Sequence, residues 1–452
     1  MHETNWLAHY ICDMDDSILT EERMQDIRYK LLDWFGCSVG AAQSKTAEKF
    51  LKSFSFEKGL GESTVFCCKE NFPLLAASFI NGAESHILEC DDVHKSAIAH
   101  PGIIAVLSSL MVCEVFNKSF KNFALGTTAG YEVIIRLGNA LNPSHYDYWH
   151  TTGTCGTFAA AAATGKILGI SATEMEQAFG IAATMASGLT CVFGTDSKLV
   201  TVGNAIRNGI QAVLMSHQGI SSCHGVLEKP FGYAEATSAN PNLSAITIEE
   251  AVPMIDTACY KLYASCGHTH SALDATFDLM SNYSITEKNV ESVEIRTYSK
   301  AAELVGSFKN NSPSAAKFSL PYCIAAAIID RSVSVSQFAE NRLSDSHIKD
   351  LASKVTVFAE PQYDKFYPVK RIESVTIILK DGQKLEKTVI LPLGHPAYSF
   401  IEEKFTALAT LTVSNKTAKE MKDIILNVQN DTLMKNICKQ LKGLISNGLL
   451  HD

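Results

Sequence analysis

The chain has 452 residues, of which 46% are hydrophobic and 19% are charged, and its formal net charge is -9. This composition excludes a disordered chain, and the length favours two domains over one. The acidic balance and the lack of long basic runs argue against nucleic acid or an anionic membrane as a partner. Residues 1–20 hold no apolar stretch suited to a signal peptide or a spanning helix, so we expect a soluble, cytoplasmic protein.

Apolar residues recur at helical spacing through most of the first 260 residues. The predicted helices are 20–42, 73–88, 101–116, 120–139, 152–168, 172–188, 200–218 and 247–257. Thr20 is expected to cap the first of them, and Ser171 with Glu174 forms a capping box ahead of the sixth. The N-terminal part of the chain is therefore predicted to be helical throughout.

The pattern changes after about residue 265. Alternating β-branched and polar residues predict strands at 290–298, at 354–360 and within 373–391, where Asp381-Gly382 marks a hairpin turn. Helices are predicted at 314–330 and again from about 399 to 448. The expected fold class is mainly α with α+β: a large helical domain formed by 1–265 and 395–452, and a smaller inserted α+β lid domain at 266–394.

The densest polar segment runs from His86 to Gly102, between two predicted helices, and holds three acids, three histidines and a lysine. Loops of this density often carry function. Asp91 or Asp92 could transfer a proton, and His100, fixed before Pro-Gly, could bind a carboxylate or move a proton. The alternative is a solvated loop whose aspartates cap the next helix.

Two further segments place basic groups at helix starts. His150 precedes a Thr- and Gly-rich helix start, which is a natural anion site. Lys198 stands at the entry to a helix in which Gly203 and Gly209 allow close approach of another backbone, and it can pair with a carboxylate as a point charge. An ordinary capping segment and a surface lysine are the alternatives.

The segment from Lys261 to Asp274 lies at the predicted domain boundary, where clefts form. Asp274 follows His270 by one helical turn, so its carboxylate could orient the imidazole, although a buried His–Asp pair is equally consistent with the spacing. Cys266, His268 and His270 are the nearest approach to a metal cluster, but the thirteen cysteines form no zinc-like quartet and we expect mostly reduced, buried thiols and no metal. Together the clusters favour cofactor-free proton abstraction from a small polycarboxylate.

Several motifs in a fixed order identify a resemblance to the MmgE/PrpD family, which includes 2-methylcitrate dehydratase, cis-aconitate decarboxylase and iminodisuccinate epimerase. The match covers nearly the whole chain. Its motifs are Asp91-Asp92-x-His94 with His100-Pro101-Gly102, His150-x-x-Gly-Thr-Cys-Gly-Thr, Lys198 with Gly203-Asn-Ala and Gly209, Leu227-Glu228 with Phe231-Gly232, Lys261-x-Tyr-x-x-Cys-x-x-x-His270, and Gly394-His395-Pro396.

The resemblance implies a helical domain with an α+β lid, a homodimer, and a cleft between the domains that binds a small di- or tricarboxylate without metal or organic cofactor. The residues that it implies for catalysis are Asp91, Asp92, His100, Lys198 and, from the lid helix, Tyr322. The residues that it implies for substrate binding are His94, His150, Lys261 and His270. Preorganised cations would stabilise the enolate-like charge that develops when a proton leaves carbon.

The chain departs from the family pattern at Glu89, Cys90 and Val93, where the family usually has Asp, Phe and Thr, and at Cys266, where a decarboxylating relative has His. These changes weigh against a strict decarboxylase. The leading hypothesis is a cofactor-independent lyase that dehydrates or decarboxylates a compound of the 2-methylcitrate or cis-aconitate type. The alternatives are a dicarboxylate isomerase or epimerase of the iminodisuccinate type and a catalytically silent, metabolite-binding dimer.

Overall fold

The computed structural model describes residues 2–391 and 397–448, which divide into two compact units. Unit 1 draws its described residues from Met1–Cys191, Ser197–Tyr260 and Ala397–Asp452, and unit 2 from Val192–Asp196 and Lys261–Pro396. Unit 1 is helical and unit 2 combines helices with a sheet, which confirms the predicted fold class. Within the described ranges, no helix combines the length and the apolar character needed to cross a membrane.

Unit 1 contains long helices that surround a large apolar core. Its helices are Glu3–Asp13, Glu21–Ala41, Lys45–Ser53, Leu74–Ser85, Pro101–Val115, Phe120–Leu141, Thr151–Leu168, Ala172–Met185, Ser197–His217, Tyr233–Thr237, Ser244–Thr247, Tyr398–Ala409, Asn415–Leu426 and Met434–Gly448. A two-residue ladder pairs Ser63–Thr64 with Asn71–Phe72. The core includes fully buried Trp34, Phe35, Tyr131 and Phe158.

Both predicted helix caps of unit 1 are confirmed. The Thr20 side chain accepts a hydrogen bond from the Arg23 backbone N–H, and Ser171 and Glu174 form the reciprocal capping box. The prediction of a helix over 247–257 was wrong, because Pro253 interrupts the segment, which forms only a short 3-10 turn at Met254–Thr257. The segment predicted to be helical from about 399 to 448 forms three helices.

The helix Ser197–His217 packs closely against two neighbours through its glycines. A Cβ on Gly203 would stand 2.6 Å from the carbonyl oxygen of Phe79, and a Cβ on Gly209 would stand 2.4 Å from that of Thr157. The backbones of the helices Leu74–Ser85 and Thr151–Leu168 therefore approach this helix as only glycine permits. This close packing, which the sequence predicted, brings the start of the helix near the ends of both neighbours.

Unit 2 is built on a four-stranded sheet with the order Val355–Ala359, Val290–Thr297, Glu373–Leu379, Lys384–Val389. The first two strands pair in parallel and the other pairs are antiparallel. The predicted hairpin is confirmed, with Gly382 at a φ of 89° in the turn. The helices of unit 2 are His270–Asn282, Ser299–Val305, Pro313–Ala316, Leu320–Asp330, Glu340–Leu343 and Ser346–Ala352.

The predicted helix 314–330 is divided in the structure. The chain leaves helical geometry after Ala316, and Ser319 then caps a new helix by accepting a hydrogen bond from the Tyr322 N–H. Pro321 lies in the first turn of that helix, where a missing N–H costs nothing. The thirteen cysteines are free thiols and eight of them are buried, as expected.

Candidate active site

The polar loop predicted from His86 to Gly102 folds into the interior of unit 1. It connects the helices Leu74–Ser85 and Pro101–Val115, and its acids Glu89, Asp91 and Asp92 are all buried. Glu89 adopts a φ of 56°, in the left-handed region that a non-glycine residue rarely occupies. Such backbone strain is typical of positions where the surrounding structure fixes a side chain for function.

Asp91 lies between two imidazoles. Its Oδ1 is 2.9 Å from Nδ1 of His86, and its Oδ2 is 2.9 Å from Nδ1 of His100. The same nitrogen of His100 is 3.1 Å from the carbonyl oxygen of Asp92. Burial opposes the charge of Asp91, but its contacts with the two histidines outweigh that effect and hold its pKa well below the usual range. Asp91 is therefore an ionised carboxylate that accepts a hydrogen bond from His86 at Oδ1, lies close to His100 at Oδ2, and is a poor base.

Lys198 comes from the first turn of the helix Ser197–His217 and reaches the same loop. Its Nζ lies 2.8 Å from Nε2 of His86 and forms an ion pair with the Glu89 carboxylate. The side chains of Lys198 and Glu89 are almost fully buried. Lys198 is therefore not a surface lysine, and its binding of a substrate carboxylate stays a prediction.

His150 is held by Thr201, which lies one turn after Lys198 in the helix Ser197–His217. Its Nδ1 lies 2.7 Å from Oγ1 of Thr201, and the Thr201 hydroxyl also lies 2.7 Å from the carbonyl oxygen of Lys198. Because a carbonyl can only accept, the hydroxyl donates to it, and Nδ1 of His150 must carry the proton that Thr201 accepts. Nε2 of His150 is then the nitrogen with a lone pair.

Two histidines of this cluster, His86 and His150, are neutral at physiological pH. Burial lowers the pKa of His86 to about 3, and burial also lowers the pKa of His150 well below its usual range. The rings of His86 and His100 meet edge to face at a centroid distance of 4.8 Å. Lys198 therefore supplies positive charge to the cluster, while the neutral imidazoles of His86 and His150 supply polar groups and lone pairs.

Asp92 makes different contacts from those of Asp91. Its Oδ1 accepts a hydrogen bond of 2.7 Å from the Gly102 backbone N–H, and its Oδ2 accepts one from the Tyr131 hydroxyl. Burial raises the pKa of Asp92 to about 6. The alternative left open by the sequence, an aspartate that caps the next helix, describes this side chain, although the resemblance implied a catalytic role.

His94 also has a local function. Its Nδ1 accepts a hydrogen bond of 3.2 Å from the Ala97 N–H, and its backbone pairs with that of Ala99. The side chain is buried. These contacts shape the turn that leads to His100, and substrate binding by His94 stays a prediction.

The remaining predicted binding residues belong to unit 2. Lys261 and His270 are buried, and Nε2 of His270 lies 3.3 Å from the carbonyl oxygen of Ser265. The Asp274 carboxylate accepts a hydrogen bond of 2.6 Å from the hydroxyl of Tyr263, whose ring contacts His270 edge to face. Binding of a carboxylate by Lys261 and His270 stays a prediction.

Tyr322, predicted as a proton donor, lies in the interior of unit 2. It is fully buried, and its hydroxyl donates a hydrogen bond of 2.6 Å to the carbonyl oxygen of Gln337. Burial raises the pKa of Tyr322 above its ordinary value. This contact gives Tyr322 a packing role within unit 2. The motif Gly394-His395-Pro396 lies outside the described residues.

Two groups of described residues could hold a metal ion by the proximity of their donor atoms. One is His86, Glu89 and His100, and the other is His2, Glu3 and Glu228, near the surface. The first group already surrounds the Lys198 ammonium, which contacts both His86 and Glu89. In unit 2, Nδ1 of His268 contacts the Tyr298 hydroxyl, so part of the suspected Cys266-His268-His270 cluster serves packing.

The structure adds His86, Glu89 and Thr201 to the residues singled out by sequence. His86 and Glu89 stand in the polar segment, but only their contacts reveal their partners. Thr201 follows Lys198 by three residues, so one turn of helix places both side chains on one face. That spacing was the available signal for Thr201.

Comparisons with known proteins give a consistent result over the chain. The MmgE/PrpD N-terminal domain model matches residues 5–245, and the MmgE/PrpD C-terminal domain model matches residues 263–430. A cis-aconitate decarboxylase from Aspergillus terreus is 28% identical, over 95% of this chain and 94% of its own length. The cis-aconitate decarboxylases of Homo sapiens and Mus musculus are 24% and 22% identical, each over 94% of this chain and over 91% and 90% of their own lengths.

Proposed function

This chain belongs to the MmgE/PrpD family, and on that premise we propose that it is a lyase acting on a small di- or tricarboxylate of the cis-aconitate or 2-methylcitrate type. The observation that carries the proposal is the buried cluster in which the Lys198 ammonium and the His100 imidazole are joined through His86 and Asp91. A cation beside an oriented imidazole suits proton transfer at a carbon next to a carboxylate.

His100 is the proton-transfer residue in this proposal. Its Nδ1 faces two acceptors, the Asp92 carbonyl oxygen and the Asp91 carboxylate, so Nδ1 carries a proton and Nε2 holds the reactive lone pair. The side chain is 14% exposed, whereas His86 is fully buried, so His100 can exchange protons with a ligand or with water. Asp91 then stabilises the imidazolium after proton uptake, as a buried carboxylate does in other acid–base sites.

Lys198 supplies the positive charge. It stabilises either a substrate carboxylate or the enolate-like oxygen that develops during reaction. Because Lys198 is buried, where the effective dielectric is low, this electrostatic stabilisation is stronger than it would be in water. The ion pair with Glu89 keeps the ammonium compensated while the site is empty. A substrate carboxylate must therefore compete with Glu89 for Lys198.

Decarboxylation replaces one carboxylate by one proton on the carbon skeleton of the substrate. In a cis-aconitate type of substrate, the bond from carbon to the departing carboxylate breaks and its electrons form a new double bond. His100 first takes up a proton from solvent on Nε2, and the former double bond then takes that proton as CO2 leaves, which returns His100 to its neutral form. In a dehydration, the neutral imidazole instead removes a proton next to a carboxylate, and an acid on the opposite side of the substrate protonates the hydroxyl, which departs as water.

A second candidate, an isomerase or epimerase using the same residues, is favoured by one observation. Val93 occupies the position of a family threonine and carries no hydroxyl. Its backbone N–H and C=O both form hydrogen bonds with the backbone of Cys259. A reaction step that relied on that hydroxyl would be lost here. Proton exchange at carbon without CO2 release would identify this second reaction.

We also propose that the reaction needs no metal. The Lys198 ammonium contacts Nε2 of His86 and the carboxylate of Glu89, which are the ligand atoms a metal ion would require. Turnover should survive dialysis against EDTA and should not rise when zinc or iron is added. Activity that EDTA abolishes and zinc restores would contradict this part of the proposal.

The test of the function is proton NMR of the protein in deuterated water with citrate, 2-methylcitrate, cis-aconitate, tartrate and iminodisuccinate. A new alkene signal identifies a lyase and its substrate, and exchange of a carbon-bound proton without a new product identifies the epimerase. No change with any of these acids would contradict the proposal and favour a binding role. The homodimer and the cytoplasmic location stay predictions, which light scattering and cell fractionation would check.

A further inference from the structure

His86 uses both of its ring nitrogens within the cluster. Nδ1 lies 2.9 Å from Oδ1 of Asp91, and Nε2 lies 2.8 Å from Nζ of Lys198. The residue is fully buried at the end of the helix Leu74–Ser85. Nothing in the chemistry proposed above requires a third histidine, so these two contacts need their own explanation.

The partners fix where the proton of His86 resides. Asp91 is ionised and can only accept, so Nδ1 of His86 donates to it. An ammonium can only donate, so Nε2 of His86 accepts from Lys198. A neutral imidazole protonated on Nδ1 satisfies both contacts, in agreement with the low pKa of His86.

These contacts join five side chains into one continuous path. It runs from Glu89 through Lys198 and His86 to Asp91 and ends at His100. His86 links the cationic half of this path, Glu89 and Lys198, to the imidazole–carboxylate half, Asp91 and His100. Moving its ring would displace Lys198 and Asp91 together.

We propose that His86 is a positioning residue that couples Lys198 to the Asp91–His100 pair, so that the carboxylate-binding cation and the proton-transfer imidazole are held in one geometry. This inference rests on the proposed function. His86 is not itself the proton-transfer group, because both nitrogens are engaged and the ring is shielded from solvent. The charged and titratable groups that face it are Glu89, Asp91, His100, His150 and Lys198.

Two variants separate the two contacts. His86→Asn places an amide near the position of Nδ1, so it keeps the donor to Asp91 and loses the acceptor for Lys198. His86→Gln places an amide near the position of Nε2, so it keeps the contact with Lys198 and loses the donor to Asp91. Because each variant removes one hydrogen bond to a charged group, each effect should be about tenfold or larger.

The expected effects fall on different kinetic constants. His86→Asn should raise KM, because Lys198 loses the hydrogen-bond acceptor that positions its ammonium for a substrate carboxylate, while kcat changes less. His86→Gln should lower kcat and move the pH profile of kcat to higher pH, since Asp91, with one donor fewer, holds a proton on the neighbouring imidazole more strongly. The matched controls are His145→Asn and His145→Gln, because His145 is also buried and bonded at both nitrogens, to Thr154 and to the carbonyl of Thr237.

A merely structural role would give a different result. In that case the two His86 variants would lose thermal stability and activity in parallel, as the His145 variants would, with no division between KM and kcat and no movement of the pH profile. That result would overturn the inference, and so would His86 variants with rates within about twofold of the parent.

A second measurement does not depend on turnover. In protein labelled with 15N-histidine, His86, assigned by its loss in His86→Gln, should show the neutral Nδ1–H tautomer between pH 6 and 8. In Lys198→Met, the Nε2 resonance of His86 should shift because its donor is gone. A cationic or Nε2–H His86, or an unchanged Nε2 resonance, would overturn the inference even if the parent protein turned over none of the acids.

Discussion

The Glu89 carboxylate forms an ion pair with the Lys198 ammonium, and the backbone φ of Glu89 itself is 56°. A residue with a strained backbone therefore supplies the counterion of the cation in the cluster. The pair is buried, which makes each charge dependent on the other. The ion pair therefore contributes to the stability of unit 1 and also contains the ammonium that would bind an anion.

Glu89→Gln should make the protein less stable and more responsive to polycarboxylates. Removing one partner of a buried ion pair costs about 3–5 kcal/mol, because the remaining charge is uncompensated. A bound carboxylate would restore the compensation, so citrate should raise the melting temperature of the variant more than that of the parent. Thermal melts with and without citrate measure both effects. An equal or smaller citrate response in the variant would contradict the competition between substrate and Glu89.

Asp91 and Asp92 should respond differently to the same substitution. Asp91→Asn removes the charge that orients and stabilises the His100 imidazole, so turnover should fall about a thousandfold or more. Asp92→Asn keeps an oxygen that can accept from the Gly102 N–H, so turnover should stay within about tenfold of the parent. Steady-state kinetics of the two variants provide the comparison. Equal losses would show that Asp92 takes part in proton transfer, as the resemblance implied.

Asp92 should also make stability depend on pH. Its pKa of about 6 in the folded protein lies above the ordinary value of 3.8, so the folded protein binds the Asp92 proton more tightly than the unfolded chain does. The stability from this group is fully present below pH 3.8 and is lost as the pH rises through 6. Asp92→Asn removes this loss, so its stability relative to the parent should rise by about 1 kcal/mol between pH 5 and pH 7.5. Urea unfolding at both pH values tests this, and a constant difference would contradict it.

Gly203→Ala should disturb the site from a distance. The new Cβ would stand 2.6 Å from the carbonyl oxygen of Phe79, a backbone atom, so the helix that carries Lys198 must shift. Overpacking of this kind costs about 1–3 kcal/mol, and activity should fall with it. Gly443→Ala is the matched control, because a Cβ there meets nothing within 4 Å and the residue lies in a helix. Chemical denaturation should show the control to be neutral or more stable.

The elements that carry the site could largely be predicted from sequence. Helical periodicity, the Thr20 cap and the Ser171–Glu174 capping box are local signals, and each is confirmed. The breaks in the predicted helices 247–257 and 314–330 were missed because apolar spacing continues past Pro253 and Ser319. Periodicity indicates which face is buried, but a single proline or a new cap decides where a helix ends.

The site itself was only partly predictable. The polar segment from His86 to Gly102 indicated the loop that carries the buried cluster, because such density is unusual between two apolar helices. It could not distinguish Asp91 from Asp92, since neighbouring carboxylates differ only in the direction in which the folded loop points them. The role of His86 depends on Lys198, which follows it by 112 residues, and no local pattern reports such a contact.

The roles of Lys198 and His100 are tested most sharply by CO2 release from cis-aconitate in deuterated water, measured for the parent protein, Lys198→Ala and His100→Ala, with Lys419→Met as an exposed lysine control. We expect the parent and the control to release CO2 and to give a product with one solvent deuterium on carbon, while the two site variants are folded and at least about a hundredfold slower. Near-parent rates in Lys198→Ala or His100→Ala would contradict the proposed roles, and no consumption of cis-aconitate by the parent would contradict decarboxylation.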